Sequence, residues 1–382
     1  MVNCLIRMGE ESPEGVPVWP LQARETGCMT GYHSAAVIAE AYVKKLDGVD
    51  FAKAYSAFRR RAMQDDYRGL GLYRKLNYIP ADVEAESVSK TMEYCYDDWA
   101  VAHLARAAGA KGDAVLLHNR SANYRNLFER QSQFIRARMV DGGWSAPFDP
   151  KAMGHSTRWH DYTESNSWQT TFGVQHDVPQ YIELFGGREA FVLKLDALFA
   201  QSSDLPGGTV PDISGMVGQY AHGNEPSHHV AYLYAYAGVP YKTQARVRSL
   251  LETMYDNQPD GLAGNEDCGQ MSAWYVLSAL GFYSVDPVSG TYVFGTPLFD
   301  HAVVDLGSDK HLILEAIRSS PYDLYIQRIT LNGRPFERSW FHHREIVNGA
   351  HFIFTLGPEP NKAFGADAVN TPPGQDTWTV AT

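Results

Sequence analysis

Cysteine is scarce: four residues in 382 (Cys4, Cys28, Cys95 and Cys268), with no CxxC pair. That argues against a zinc ribbon, and a chain this long does not need a disulfide framework. No run of about 18 apolar residues occurs, so no membrane span is expected. The opening MVNCLIRMGEESPEG has neither the clean apolar stretch nor the small-residue cleavage site of a signal peptide. Basic residues never run longer than Arg59–Arg61, and the net charge is −11. This excludes a nucleic-acid surface and leaves neutral or cationic partners, or a metal. Also absent are a GxSxG elbow, a P-loop and a GxGxxG turn, which removes the serine hydrolase, NTPase and dinucleotide-binding readings.

What is present is a hydrophobic fraction of 44%, with 22 Tyr, 17 Phe and 8 Trp. A sizeable core follows, and aromatic faces suit cores and sugar sites alike. From residue 33 to about 282 the apolar spacing is helical. Helices are expected at 33–45, 51–63, 87–109, 112–128, 166–187, 188–200, 226–238, 242–255 and 269–283, with Gly109 as a C-terminal stop. The opening VNCLIRM reads as helix interior, so an upstream portion is expected to be absent. Consecutive helices come in pairs, with long polar loops at 64–86, 139–165, 202–225 and 256–268. That alternation suits a toroid of helical hairpins, a mainly α (α/α)6-type barrel over 1–285, with the long loops at one end. After Pro287 the runs turn short, β-branched and Gly-punctuated, so 286–382 is expected to be a β-rich region. Asn-Gly at 332–333 and 348–349 reads as hairpin turns. The final NTPPGQDTWTVAT reads as a tail.

The long loops hold the chemistry. In DYTESNSWQ, Glu164 precedes Asn166, Trp168 and Gln169. The sequence fits a capped helix start, and it also fits a desolvated carboxyl acting as general acid. In HGNEPSHH, Asn224, Glu225, His228 and His229 exceed what capping needs; the oxygens suit a hard cation such as Ca²⁺. In DGLAGNEDCGQM, Asn265, Glu266 and Asp267 stand before a helix, as cap or as site. In EYCYDDWA, Asp98 beside Trp99 is either an ion-pair partner, for Arg106 or another cation, or a pore-facing group. Two separated carboxylates, oxygen ligands and aromatics are a glycosidase-like inventory. A gap of about 6.5–9.5 Å between the carboxylates leaves room for water and gives inversion.

At GCMTGYHSAAVIAEAY, MEYCYDDWAVAHLA, YTESNSWQTTFGVQHDV, HGNEPSHHVAYLYAYAG and GLAGNEDCGQMSAWYVLSALGFY the sequence resembles, in order, the signature blocks of the glycoside hydrolase family 92 α-mannosidases. YIQRITLNGRPF and GPEPNKAFG fit that family's closing strand region. The resemblance implies a Ca²⁺-dependent, inverting exo-α-mannosidase that releases terminal mannose from α-1,2-linked or other α-mannosides. It makes Glu164 the general acid and Asp267 the general base, assisted by Asn265, where many members carry Asp. It places Asn224 and Glu225 at the mannose and calcium site, the metal holding O2 and O3 of the sugar. Asp98, Trp99, Trp168, Gln169, His228, His229 and Glu266 are the expected substrate contacts. Members are secreted or periplasmic and carry an N-terminal β-sandwich domain and a W-D-T-[FY]-R block upstream of where this chain begins. The sandwich is thus an expected partner, and a carbohydrate-binding remnant without turnover is the alternative.

Overall fold

The computed structural model of the chain describes residues 1–22, 24–153, 160–206 and 212–375. The tail residues 376–382 lie outside the described residues. The helical part comprises α1 (Val2–Glu11), α2 (Ser34–Val43), α3 (Phe51–Ala62), α4 (Leu70–Leu76), α5 (Ser87–Ala107), α6 (Lys111–Arg120), α7 (Ser167–Thr170), α8 (Val178–Leu184), α9 (Arg188–Ala200), α10 (Leu233–Tyr236), α11 (Pro240–Thr253) and α12 (Gln270–Leu280).

The sequence explains the two kinds of helix. In α3, Asp50 caps the start by accepting from the Lys53 amide at 3.0 Å, and Ala54, Ala57, Phe58 and Ala62 form one buried stripe. Helix α5 is buried along nearly its whole length, charged residues included, and packs against α2, α3 and α6. It stops before Gly109, whose φ of +74° a side chain would strain.

Three expectations change. The stretch 112–128 ends as an α-helix at Arg120 and runs on as a 3₁₀ segment, Ser121–Leu127. The stretches 166–187 and 226–238 are not single helices. The first splits into α7 and α8, the second into 3₁₀ turns at Glu225–Ser227 and Val230–Tyr232 followed by α10. The loop 64–86 contains α4, bounded by Gly69 and Asn77, both at positive φ. In each case tertiary contacts override a pattern too short to fix its own boundaries.

The C-terminal part forms a five-stranded sheet in the order Arg334–Phe336, Tyr325–Leu331, Ala350–Gly357, Lys310–Ile317, His301–Gly307. All its pairings are antiparallel except Lys310–Ile317 with Ala350–Gly357. Asn332-Gly333 is the hairpin turn expected, with φ of +51° and +79°. Asn348-Gly349 is not: it leads from a 3₁₀ turn, His343–Glu345, into a strand whose partners are 310–317 and 325–331. A second sheet joins Phe282–Tyr283, at the end of α12, to Thr291–Phe294 and Trp340–His342. The helical core extends to Val285, Val288 and Val293, while Phe282 and Phe294 belong to the β-rich core, so the two cores share this junction. Among the described residues no helix is long and apolar enough to cross a membrane.

Candidate active site

Three loops meet at glycines. A Cβ on Gly264 would stand 2.3 Å from the Gly223 carbonyl oxygen, and one on Gly223 would stand 2.8 Å from that of Ala263. The two GNE segments therefore pack backbone to backbone, which a side chain at either glycine would prevent. The third loop joins through amides: Gly223 donates to Ser214 at 3.0 Å and His222 to Gly215 at 3.1 Å.

Glu164 is fixed from both sides. Upstream, Thr163 donates its amide to Ser89 at 2.8 Å and its hydroxyl to Glu86 at 2.9 Å. The amides of Glu86 and Val88 at the start of α5 are satisfied by the carbonyls of His160 and Asp161. Downstream, Asn166 and Gln169 form a capping box on α7, and Asn166 also donates to Gln219 at 2.8 Å. Glu86, Glu164 and Asp267 all have positive φ (+56°, +46° and +49°). A left-handed non-glycine residue is costly by about 1 kcal/mol or more, and such residues concentrate where the surrounding structure holds them.

The acids from these loops interact. The Asn224 side-chain amide lies 3.4 Å from both the backbone oxygen and a carboxyl oxygen of Glu164. Burial pushes the Glu164 pKa up, and the negative charges of Asp212, Asp267 and Glu86 push it further, against the Asn224 hydrogen bond. Glu225 is raised more strongly, by burial, by a hydrogen bond shared with Asp267, and by the charges of Asp267 and Glu164. Of the carboxyls in these loops, Glu225 is thus the one most strongly pushed toward its protonated form. Asn265 is exposed and donates to Asp212 at 3.4 Å.

So the structure brings together Glu164, Asn224, Glu225, Asn265 and Asp267. The other candidates occupy structural positions. Asp98 is fully buried, ion-paired with Arg120 rather than Arg106, and accepts from Tyr73 at 2.8 Å. Trp99 donates its indole N–H to Asp286 at 3.0 Å. Trp168 packs edge-on against Phe134 at 4.7 Å. His228 and His229 bind the carbonyls of His222 and Phe172 (3.0 and 2.7 Å), and burial lowers both to about 4, so they stay neutral. Glu266 caps α12 by accepting from the Ser272 amide and hydroxyl (3.0 and 2.8 Å). Gln169 keeps a buried Nε2 without a hydrogen-bond partner among the described residues.

The Asp98–Arg120 pair carries a stability prediction. Asp98→Asn leaves a buried guanidinium without its counter-charge, so unfolding in urea should show a loss of about 3–5 kcal/mol. A change below about 1 kcal/mol would mean that water reaches Arg120.

Sequence reasoning missed Asp212 and Glu86. Asp212 stands in a Gly/Ser loop where an acid reads as a turn former. Glu86 precedes a helix, where an acid reads as dipole compensation. Neither carries a mark of the charges it meets in space. For calcium, no group of three or more His, Cys, Asp or Glu among the described residues is arranged to hold a metal ion. The donor chemistry still fits a hard cation: Asn224 and Glu225 offer oxygens, and the crowding that raises Glu225 is the kind that a divalent ion relieves.

A mainly helical chain with a β-rich end, whose polar loops gather acids around two raised carboxyls, Glu164 and Glu225, defines the class. The sequence profile of the glycosyl hydrolase family 92 catalytic domain matches residues 1–358. The chain belongs to that family. It superposes on a family GH92 α-mannosidase from Bacteroides thetaiotaomicron in complex with mannoimidazole, with a TM-score of 0.92, 38% identity, and coverage of 98% of this chain and 50% of that one. A family GH92 inverting mannosidase from the same organism gives 0.87, 32%, 99% and 52%. An uncharacterized secreted glycosidase of Arthroderma benhamiae is 29% identical over 387 residues, 90% of this chain and 47% of that protein. The chain thus spans about half the length of the relatives it matches.

Proposed function

We propose that this chain is the catalytic portion of a calcium-dependent exo-α-mannosidase that releases terminal mannose from α-1,2-linked and other α-mannosides with inversion. Glu164 is the general acid, Asp267 the general base, and Asn265 orients the attacking water. The reading rests above all on Glu164: a half-buried carboxyl raised by burial and by neighbouring acids, Asp267 among them.

The chemistry follows. Glu164 delivers its proton to the glycosidic oxygen as the C1–O bond breaks, and Asp267 takes a proton from the water whose oxygen bonds to C1 on the opposite face. The spare Gln169 N–H₂ donates to a sugar hydroxyl. Asn224 and Glu225 would hold Ca²⁺, which supplies positive charge for anchoring sugar hydroxyls. We read 1–285 as an (α/α)6-type barrel and 286–382 as its β-rich appendage, with a β-sandwich domain as partner.

The test is mannose release from α-1,2-mannobiose, with the product anomer followed by NMR. The β-anomer should appear first, and chelation should lower the rate by roughly tenfold or more. Added Ca²⁺ should raise the melting temperature of the parent chain but not of Glu225→Gln. Binding without turnover at every calcium level would instead support the carbohydrate-binding reading, and α-mannose appearing first would rule out inversion.

A further inference from the structure

The start of α5 forms a bed for the segment that carries Glu164. Residues 160–163 lie along it through four hydrogen bonds. The Glu86 and Val88 amides donate to the His160 and Asp161 carbonyls (2.8 and 3.1 Å). The Thr163 amide donates to Ser89 Oγ (2.8 Å), and the Thr163 hydroxyl donates to Glu86 Oε1 (2.9 Å). The other Glu86 carboxyl oxygen faces two cations, Arg68 Nη2 at 3.5 Å and Lys90 Nζ at 3.7 Å. Arg68 in turn donates to the Gly27 and Met29 carbonyls (3.1 and 2.6 Å). Lys90 is buried and donates to Glu84 and to the Ala85 carbonyl (2.5 and 2.8 Å). The carboxylate that receives the Thr163 hydroxyl is therefore not free to swing away.

What this contact does is set by its place in the chain. Thr163 precedes Glu164, whose φ of +46° a residue with a side chain adopts at a cost. Downstream the chain is pinned by the capping box of Asn166 and Gln169. Upstream the Ser89 bond holds only the Thr163 amide, and the Glu86 bond holds its side chain. A hydrogen bond to a charged acceptor is stronger than a neutral one, so it helps to offset the strained backbone that follows. Glu86 is itself left-handed, at +56°. Two left-handed residues are thus joined through one hydroxyl, and strain of this kind persists where the surrounding structure holds it and function uses it. A general acid must stand within hydrogen-bond reach of the departing oxygen, and a misplacement of about 1 Å costs about 10²-fold.

We propose that Glu86 is a positioning residue for Glu164: through the Thr163 hydroxyl it holds the acid where the departing oxygen will be. This rests on the reading of Glu164 as general acid. Thr163→Val keeps the size of the side chain and removes only the hydroxyl, which Thr163→Ser retains. On α-1,2-mannobiose, Thr163→Val should lower kcat by about 10–10²-fold with KM unchanged within about twofold, and Thr163→Ser should recover most of the loss. An aryl mannoside with an acidic phenol needs no proton, so its turnover should hardly change. Glu86→Ala should show the same split, and the double variant should be no slower than the slower single one, because both remove one contact. A loss equal on the two substrates, a loss that Thr163→Ser does not recover, losses that add in the double variant, or turnover indifferent to Thr163→Val would overturn the proposal. Glu164→Gln separates this failure from that of the underlying reading. If it spares the aryl mannoside while Thr163→Val is without effect, only the positioning role falls. If it slows both substrates alike, the acid assignment falls as well. Crystals of Thr163→Val give a check without turnover: Glu164 leaving its left-handed conformation, or its carboxyl turning from Asn224, supports the proposal, and an unmoved Glu164 rejects it.

Discussion

Glu164→Gln should lower kcat on α-1,2-mannobiose by about 10²–10⁴-fold, the usual contribution of a positioned general acid. Gln preserves the size of the side chain and the contact with Asn224, but it has no proton to deliver to a departing sugar oxygen. An aryl mannoside with an acidic phenol leaves without that proton, so its loss should be far smaller; equal losses on both substrates would remove Glu164 from the role. The pH profile gives a second check. The acid must be protonated to act, and burial and the charges of Asp212 and Asp267 raise its pKa. Activity should therefore fall as pH rises through that raised value, and Glu164→Gln should lack this alkaline limb. The stability that this carboxyl contributes should fall in the same direction. A carboxyl whose folded pKa lies above its unfolded one contributes stability that is full below the unfolded pKa and is lost as pH rises through the folded one. At neutral pH, Glu164→Gln should thus unfold at a higher temperature than the parent chain. Such a residue costs the fold something and persists where the reaction needs it.

Legibility in the sequence followed the range of the interactions. Long helices such as α3, α5 and α11 carry their own apolar spacing, α3 with a cap at Asp50 as well, and were readable to within a few residues. The segments around Glu164 and Asn224 were not, because their turns are set by partners distant in the chain: Thr163 on Ser89 and Glu86, Gly223 on Ser214 and Ala263. The second Asn-Gly failed as a hairpin for the same reason, since strand 350–357 takes distant partners. In the site, the acids of the GNE segments and Glu164 were visible as residue types in polar loops. Their mutual charges were not, nor were Asp212 and Glu86. The same blindness affected Asp98, Trp99, His228 and His229: a polar or aromatic residue in an apolar stretch looks alike whether it faces a substrate or completes a buried hydrogen bond.

The second large effect concerns the base. Asp267→Asn should lower kcat by about 10²–10⁴-fold on every α-mannoside, good leaving groups included, because water must be deprotonated whichever oxygen departs. That pattern separates it from Glu164→Gln. Azide, a nucleophile with no proton to lose, should restore turnover of an aryl α-mannoside and give β-mannosyl azide, the inverted product. The partner of Asp267 makes the assignment sharper. Burial, then a hydrogen bond to Asp267 and that residue's charge, push the Glu225 pKa up to about 8. In Asp267→Asn both influences go, leaving burial and Glu164, so the Glu225 carboxyl should titrate at lower pH, as carbon-labelled NMR can follow. Glu225→Gln keeps a donor to Asp267 and should cost activity less than Asp267→Asn. If Glu225→Gln were the more damaging and azide rescued it instead, the proton would be leaving through Glu225, and Asp267 would be the residue that holds the base in place.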